Sequence, residues 1–426
     1  MKEPELPEFY FCHDTGEYFM QIIPGKYVVV SKQDVKMHLR KAGLSKDKYH
    51  FGLNELENAI AKCQIERYID YAGPLAGHKP GVFLAQSRKR ILITESASLP
   101  VAKRGSIARI MQFIEELFAD PDFGGIQKDV VLAWLKCARA SYFARDFRAG
   151  QMLAMAGESG CGKSLFQHLI TEWLGGRVGM PFKYMNGETA FNADLAEAEH
   201  LMLEDKGAAS FDLRTRRKFG ESVKDFVVCR VMSVHGKGLK AEPLPTFRRV
   251  SMTLNNEPEN LLAHPPLDPS IMDKTILTHC SPATVSNDEK LTWRNLTSEL
   301  PALAYHLEKW ELPEEMKDRR YGMKSWHHPA LVEILTTLSD ETRLMDIIDQ
   351  VLFVEQPNLI KAPWEGTSEE LESKLVNSSL GFAASKVLSK FTGACGTYLG
   401  RLKSKSDRIE SVKRKGRTFW RIKWPE

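Results

Sequence analysis

No stretch of the 426-residue chain approaches the ~18 consecutive apolar residues that a membrane-crossing helix needs, so a bilayer span is excluded as an expectation. Met1 to Thr15 holds early acids and prolines where a secretory leader would hold bases and then an apolar run, and a cytoplasmic location is expected. Cysteine is sparse. The seven thiols (Cys12, Cys63, Cys137, Cys161, Cys229, Cys280, Cys395) are odd in number and nowhere spaced CxxC, which excludes a disulfide framework and a zinc ribbon and leaves reduced thiols. Repeats and low-complexity tracts are missing too. With 43% hydrophobic and 27% charged residues, the chain has enough apolar material for a packed core, and its length suggests two or three domains. The net charge of +4 is small but unevenly placed: residues 386–424 hold twelve Lys and Arg against Asp407 and Glu410. A basic face on the C-terminal part is the footprint of a nucleic-acid contact, or else only a solvated tail.

Alternation and turn signals from Phe9 to Val30 predict a short β-meander, followed by a helix from about Ser31 to Leu44. Strand character continues between residues 50 and 100, notably at Arg90–Thr94. Helices are expected near Ser106–Phe118 and Gln127–Phe143, and a strand at Gln151–Ala156. An α/β nucleotide-binding core then extends from about Met152 to Cys280, with a helical stretch over Leu291–Leu352 and a linker at Gln356–Gly366. Thr367 and Glu370 have capping-box spacing. Beyond them the pattern reads helix (Ser368–Val376), helix (Phe382–Lys390), helix (Ala394–Lys403) and a hairpin turning at Lys415–Gly416, which suggests a winged helix. In its last strand Trp420, Ile422 and Trp424 share one face, with Phe419, Arg421 and Lys423 on the other.

The densest chemistry is Gly157-Glu158-Ser159-Gly160-Cys161-Gly162-Lys163-Ser164, a full GxxxxGKS. Such glycines let backbone N–H groups converge on a triphosphate at a helix N-terminus; Lys163 supplies charge to it, and Ser164 offers a hydroxyl to Mg²⁺. That chemistry calls for a carboxylate on a neighbouring strand. Leu201-Met202-Leu203-Glu204-Asp205 ends in two: Glu204 for the metal and Asp205 for the attacking water, or the reverse. Arg249–Leu254 reads as a further strand ending in Asn255-Asn256, where a neutral amide can meet a phosphate or a water, or simply form a turn. Between acids and asparagine, Val227–Val234 and Pro243–Pro245 predict a β-hairpin whose tip carries His235, Lys237 and Lys240, able to track a phosphodiester backbone or to lie idle in solvent. His327-His328 reads as a turn, and Trp134, Trp173 and Trp310 as core.

This order of parts within about a hundred residues resembles the superfamily 3 helicases of viruses, phages and mobile elements, and more narrowly the helicase portion of phage-type primase-helicases. The resemblance covers residues 147–282. It implies an AAA+ ATPase core that assembles as a hexameric ring on single-stranded DNA, takes ATP and Mg²⁺, and grips the strand with Lys237. Five domains are then expected: an α+β region at 1–100, a helical collar-like segment at 101–146, the AAA+ core at 147–285, a helical segment and linker at 286–366, and a basic winged helix at 367–426 with Arg401, Lys403, Lys413, Arg414 and Lys415 against DNA. The family's trans-acting arginine is replaced by Lys274, which lacks the planar fork of a guanidinium. Arg248, Arg249, Arg214, Arg216 or Arg217 are the other candidates for that role. No paired-acid primase motif is seen. A DNA-binding switch or helicase loader that does not unwind is the alternative; a packaging or defence NTPase is a third.

Overall fold

The computed structural model describes the chain apart from residues 1–6, 51, 205–212, 236–240, 285–288, 338–339, 355–361, 390, 405, 415 and 425–426. It divides into two compact units. The first comprises 1–206, 218–256 and 269–327, and the second 207–217, 257–268 and 328–426.

The first unit opens with β1 (Phe9–Cys12), β2 (Tyr18–Ile23) and β3 (Lys26–Val30), then α1 (Lys32–Lys41) and α2 (Glu55–Glu66). Both helices start at a capping box, Ser31 with Asp34 and Asn54 with Glu57. Such boxes satisfy two orphan N–H groups at once. Strand β4 (Tyr68–Ile69) completes a sheet of order β3-β2-β1-β4, and β5 (Tyr71–Gly73), β6 (Gly81–Leu84) and β7 (Arg90–Ile93) form a second of order β5-β7-β6. The strand reading of residues 50–100 therefore missed α2. Its buried stripe of Leu56, Ile60 and Cys63 recurs at helical spacing.

Helices α3 (Ala108–Leu117) and α4 (Gly124–Ala144) precede β8 (Met152–Gly157), which leads into α5 (Lys163–Trp173). Next come β9 (Val178–Gly179), β10 (His200–Leu203), α6 (Leu213–Val228), the hairpin β11 (Val231–Val234) and β12 (Glu242–Pro245), β13 (Arg249–Asn255), β14 (Thr275–Cys280) and α7 (Glu289–Lys309). The central sheet has the order β9-β10-β13-β8-β14 and every pairing in it is parallel. All six residues of β8 are buried. A parallel strand covered on both faces must be apolar throughout, as Met-Leu-Ala-Met-Ala-Gly is. Phe113 and Leu117 of α3, Phe166 and Ile170 of α5 and Leu296 and Leu300 of α7 share the core that covers this sheet.

Two expectations are corrected here. Val227 and Val228 end helix α6 instead of starting the hairpin; Phe219, Val223 and Val227 are buried at i, i+4, i+8. The helical stretch expected over 291–352 is broken after Lys309 by a short turn at Glu314–Met316 and a two-residue pairing of Lys317–Asp318 with Gly322–Met323.

The second unit contains α8 (Pro329–Thr337), α9 (Asp340–Asp349), β15 (Trp364–Thr367), α10 (Ser368–Val376), α11 (Gly381–Leu388), α12 (Ala394–Lys403), β16 (Ile409–Arg414) and β17 (Arg417–Ile422). Its sheet is antiparallel, of order β15-β17-β16. Thr367 and Glu370 form the anticipated capping box, and Trp420 and Ile422 are buried while Arg421 and Lys423 are exposed.

Candidate nucleotide-binding site

Parallel pairing brings the chemistry to one edge. Gly157 at the end of β8 pairs with Asn255 on one side and Cys280 on the other, so the glycine loop, Asn255 and the residue after β10 all emerge at the carboxyl ends of the strands. A cavity of about 460 Å³ opens there, lined by Ser159, Gly160, Gly162, Lys163, Ser164, Leu165, Glu204, Thr253 and Asn255. The sequence-predicted loop, one of the two acids and the asparagine thus share one cavity. Asp205 lies outside the described residues.

The loop's shape follows from its glycines. Gly160 and Gly162 have φ of +78° and +115°, in the left-handed region that side chains avoid. At Gly157 the reason is different: a Cβ would fall 2.3 Å from the Cys280 carbonyl oxygen, so the neighbouring strand leaves no room. Lys163 begins α5 and is 6% exposed. Its ammonium donates to the carbonyls of Gly157 and Glu158, both at 2.7 Å, and lies 3.6 Å from Cys161 Sγ. Ser164 and Glu158 are exposed.

Behind the cavity runs a buried polar chain that sequence reasoning missed. Gln167 Nε2 donates to the Leu203 carbonyl at 3.1 Å and to Ser251 Oγ at 3.0 Å. His200 places Nε2 2.7 Å from Ser251 Oγ and Nδ1 2.8 Å from Thr171 Oγ1, which donates back to the Gln167 carbonyl at 3.3 Å. One assignment serves both ring nitrogens: the Ser251 hydroxyl donates to Nε2, and Nδ1–H donates to Thr171. This chain fastens α5 to β10 and β13. The only sequence signal was a histidine and a serine in otherwise apolar strands. Burial pushes His200 down to about 3, with His168 adding to the shift. A histidine whose folded pKa lies below its unfolded value stabilises the fold fully above about pH 6.5 and loses that contribution as pH falls towards 3, by up to about 1.4 kcal/mol per unit. Urea unfolding between pH 6 and 4 should therefore take up about one proton more in the wild type than in His200→Gln. Parallel stability curves for the two proteins would show that His200 is protonated in the fold.

Lys274 stands at the opposite end of the sheet. Thr275 pairs with Met152, the first residue of β8, and the Lys274 carbonyl accepts the Met152 N–H at 2.9 Å. Five strand steps of about 3.3 Å each separate that edge from the glycine loop. The Lys274 ammonium is 2.6 Å from Asp273 Oδ1, and Asp273 also takes Arg320 and the Tyr321 hydroxyl, each at 3.2 Å. Arg248 and Arg249 are not available as reaching groups. Both are buried, Arg248 on the carbonyls of Phe226 and Cys229 and on Thr246 Oγ1, and Arg249 on the carbonyls of Arg148 and Arg248. Burial lowers both guanidinium pKa values to about 10. The side chains of Arg214, Arg216 and Arg217 lie outside the described residues.

The candidate DNA contacts divide as follows. His235 follows β11, half-buried, with its N–H on Asn192 Oδ1 at 2.7 Å; Lys237, Lys240 and Lys415 lie outside the described residues. In the second unit several cations are matched internally. Arg401 pairs with Glu341 and lies over the Tyr398 ring. Arg408 pairs with Asp349 at 2.6 Å, Arg421 with Glu365 at 3.4 Å and Lys423 with Glu410 at 2.5 Å. Lys403 is exposed and donates to Ser411 Oγ at 2.9 Å. Lys413, Arg414 and Arg417, at the turn of β16–β17, are exposed. None of these three has an ion pair with a described residue. Arg401, expected against DNA, is thus occupied within its own unit.

No family model matches the chain, and no curated protein matches it in sequence. Among solved structures it is similar over its whole length to the C-terminal region of NrS-1. One apo form superposes with a TM-score of 0.55 at 14% identity, covering 99% of this chain and 97% of that one. A second gives 0.53 at 13% identity, with full coverage of both chains. Likeness at that identity is likeness of fold. A solved JCV helicase aligns with 57% of this chain and 62% of its own at a TM-score of 0.28 and 12% identity, too loose an overlay to argue from. This chain is mixed α/β with a parallel sheet, and among the described residues no helix is long and apolar enough to cross a membrane.

Proposed function

We propose that the chain is an ATP-hydrolysing motor of the superfamily 3 helicase type, acting on DNA. The observation that carries this reading is the shared cavity: a glycine loop at a helix N-terminus, an acid after the apolar strand β10 and the asparagine that ends β13, the strand between β10 and β8, meet at one edge of a parallel sheet. The left-handed glycines turn the loop so that backbone N–H groups can converge on phosphate, which suits a nucleoside triphosphate. In this reading Gly157 to Ser164 hold the triphosphate, Lys163 neutralises its charge, Asn255 meets the terminal phosphate or the water, and Glu204 and Asp205 divide metal binding and water orientation between them. Ser164 and Glu204 are the residues that would hold Mg²⁺, which when bound neutralises phosphate charge.

The hairpin β11–β12 bears His235, Lys237 and Lys240 towards single-stranded DNA. Around a homo-hexameric ring this places one such hairpin per subunit in the channel. The α9–β15–α10–α11–α12–β16–β17 order supports a winged helix at 367–426, with Lys403, Lys413, Arg414 and Lys415 as its DNA contacts. Residues 1–100 and 101–146 are accessory and collar-like, 147–285 the AAA+ core and 286–366 the helical connection. One observation favours a slower switch or loader instead: Lys274, the candidate trans-acting group, is engaged by Asp273. ATP-dependent strand displacement on forked and single-tailed duplexes decides between the two. The motor should separate at least one of these substrates; ATP hydrolysis without any displacement would favour the loader.

A further inference from the structure

An isolated two-stranded hairpin is marginally stable in water. With four residues in each strand, β11–β12 cannot fix its own direction, so what holds its two strands matters. The incoming strand is held by Asn192, 1% exposed, whose Oδ1 accepts the His235 N–H at 2.7 Å while its own N–H and Nδ2 donate to the carbonyls of His235 and Ser233 at 3.1 and 2.9 Å. The outgoing strand is held by the N-terminal region. Glu242, 9% exposed, accepts the Ser87 hydroxyl and lies 3.2 Å from the Lys89 ammonium, both in the turn between β6 and β7. Beyond it, His78 Nε2 donates to the Pro245 carbonyl at 2.8 Å, and the Phe247 N–H donates to the Ala76 carbonyl at 3.1 Å.

The loop Leu75–His78 also reaches the entry of the acidic strand. Gly77 donates its N–H to Glu199 Oε1 at 2.9 Å, and Ala76 donates to the Ala196 carbonyl at 2.9 Å. Glu199 is wholly buried, immediately precedes β10 and pairs with Arg177 at 2.5 and 2.9 Å. Only glycine fits between these parts. Gly77 has φ of +81°, and a Cβ there would stand 2.5 Å from both Phe147 and Phe247. One loop therefore touches the exit of the hairpin and the entry of the strand that ends at Glu204.

We propose that Leu75–His78 and the Ser87–Lys89 turn form a bracket that positions the outgoing strand of the hairpin and ties it to β10, so that a displacement of the acidic strand is passed to the hairpin. This rests on the reading of the hairpin as the DNA-gripping element. Ser87, Lys89 and Gly77 are positioning residues: they act through Glu242 and Glu199 and do not line the cavity.

The test uses the full chain with Ser87→Ala and Lys89→Ala combined, at a turn whose side chains are not core. Hydrogen exchange of the Val231–Val234 amides should quicken by about tenfold in the double variant. Basal ATPase should stay within about twofold of wild type, while the increment produced by single-stranded DNA should fall by about tenfold. Lys89→Arg, which keeps the charge beside Glu242, should behave as wild type. Unchanged exchange in the double variant overturns the bracket. Faster exchange with full DNA stimulation overturns the coupling to β10. A wild type that DNA does not stimulate refutes the motor and the coupling with it, while the exchange arm still decides whether the bracket holds the hairpin.

Discussion

Replacing Lys163 with alanine should lower ATP turnover by at least about 10²–10³-fold, the cost of deleting one preorganised charge-stabilising donor. Lys163 is the one cationic residue among the described residues of the cavity wall, and the partners of its ammonium are backbone carbonyls of its own loop. Alanine at the first position of α5 suits a helix, so the fold should survive with little change in melting temperature. The measurement is phosphate release by purified Lys163→Ala beside wild type, with circular dichroism on the same samples. Turnover near wild type would mean that the glycine loop is not where the triphosphate is handled. Loss of turnover together with loss of fold would show instead that the lysine's contacts with Gly157 and Glu158 are structural.

Lys237→Ala should leave ATP binding and assembly intact but remove DNA-stimulated hydrolysis and unwinding together. The hairpin is a two-stranded sheet of its own, and neither β11 nor β12 lines the cavity at the carboxyl edge, so the phosphate chemistry should not sense its tip. In a ring, however, one lysine per subunit is the grip on the strand, and losing all copies at once abolishes coupling instead of weakening it by the modest share of a single phosphate contact. ATPase with and without single-stranded DNA, and strand displacement, on one preparation give the answer. Full unwinding by the variant would end the hairpin-motor mechanism. A loader that binds DNA through its second unit would barely notice the substitution.

What could be read in the sequence was whatever had a local cause. The glycine loop, the strands β8, β10 and β13 and the capping box at Thr367 are set by steric freedom, hydrophobic continuity and a three-residue reach, and each stands where its residues placed it. Helix α2 shows the limit: its stripe of Leu56, Ile60 and Cys63 was present, yet the surrounding glycines, prolines and aromatic residues pointed to strands. The polar chain through His200 and Ser251 could not be seen, because only pairing β10 beside β13 brings those two side chains together. Nor could Arg401 be separated from Lys413. Both are basic residues in one run, and it is the fold that sets Glu341 beside the first. Lys274 matches the trans-acting position by order alone, and order along the chain does not show that Asp273 engages it.

The separation of paired from unpaired cations in the second unit bears on how such a protein can evolve. Arg408 is tied to the half-buried Asp349 and Arg401 to the buried Glu341, so replacing either strands a carboxylate and costs stability. Lys413, Arg414 and Arg417 are exposed at the turn of β16–β17, where substitutions usually change stability by only about ±0.5 kcal/mol. On the proposed reading, the charge that meets DNA and the charge that holds the unit together are therefore carried by different residues. Selection can retune the affinity or the preference of that turn step by step, through intermediates that all remain folded.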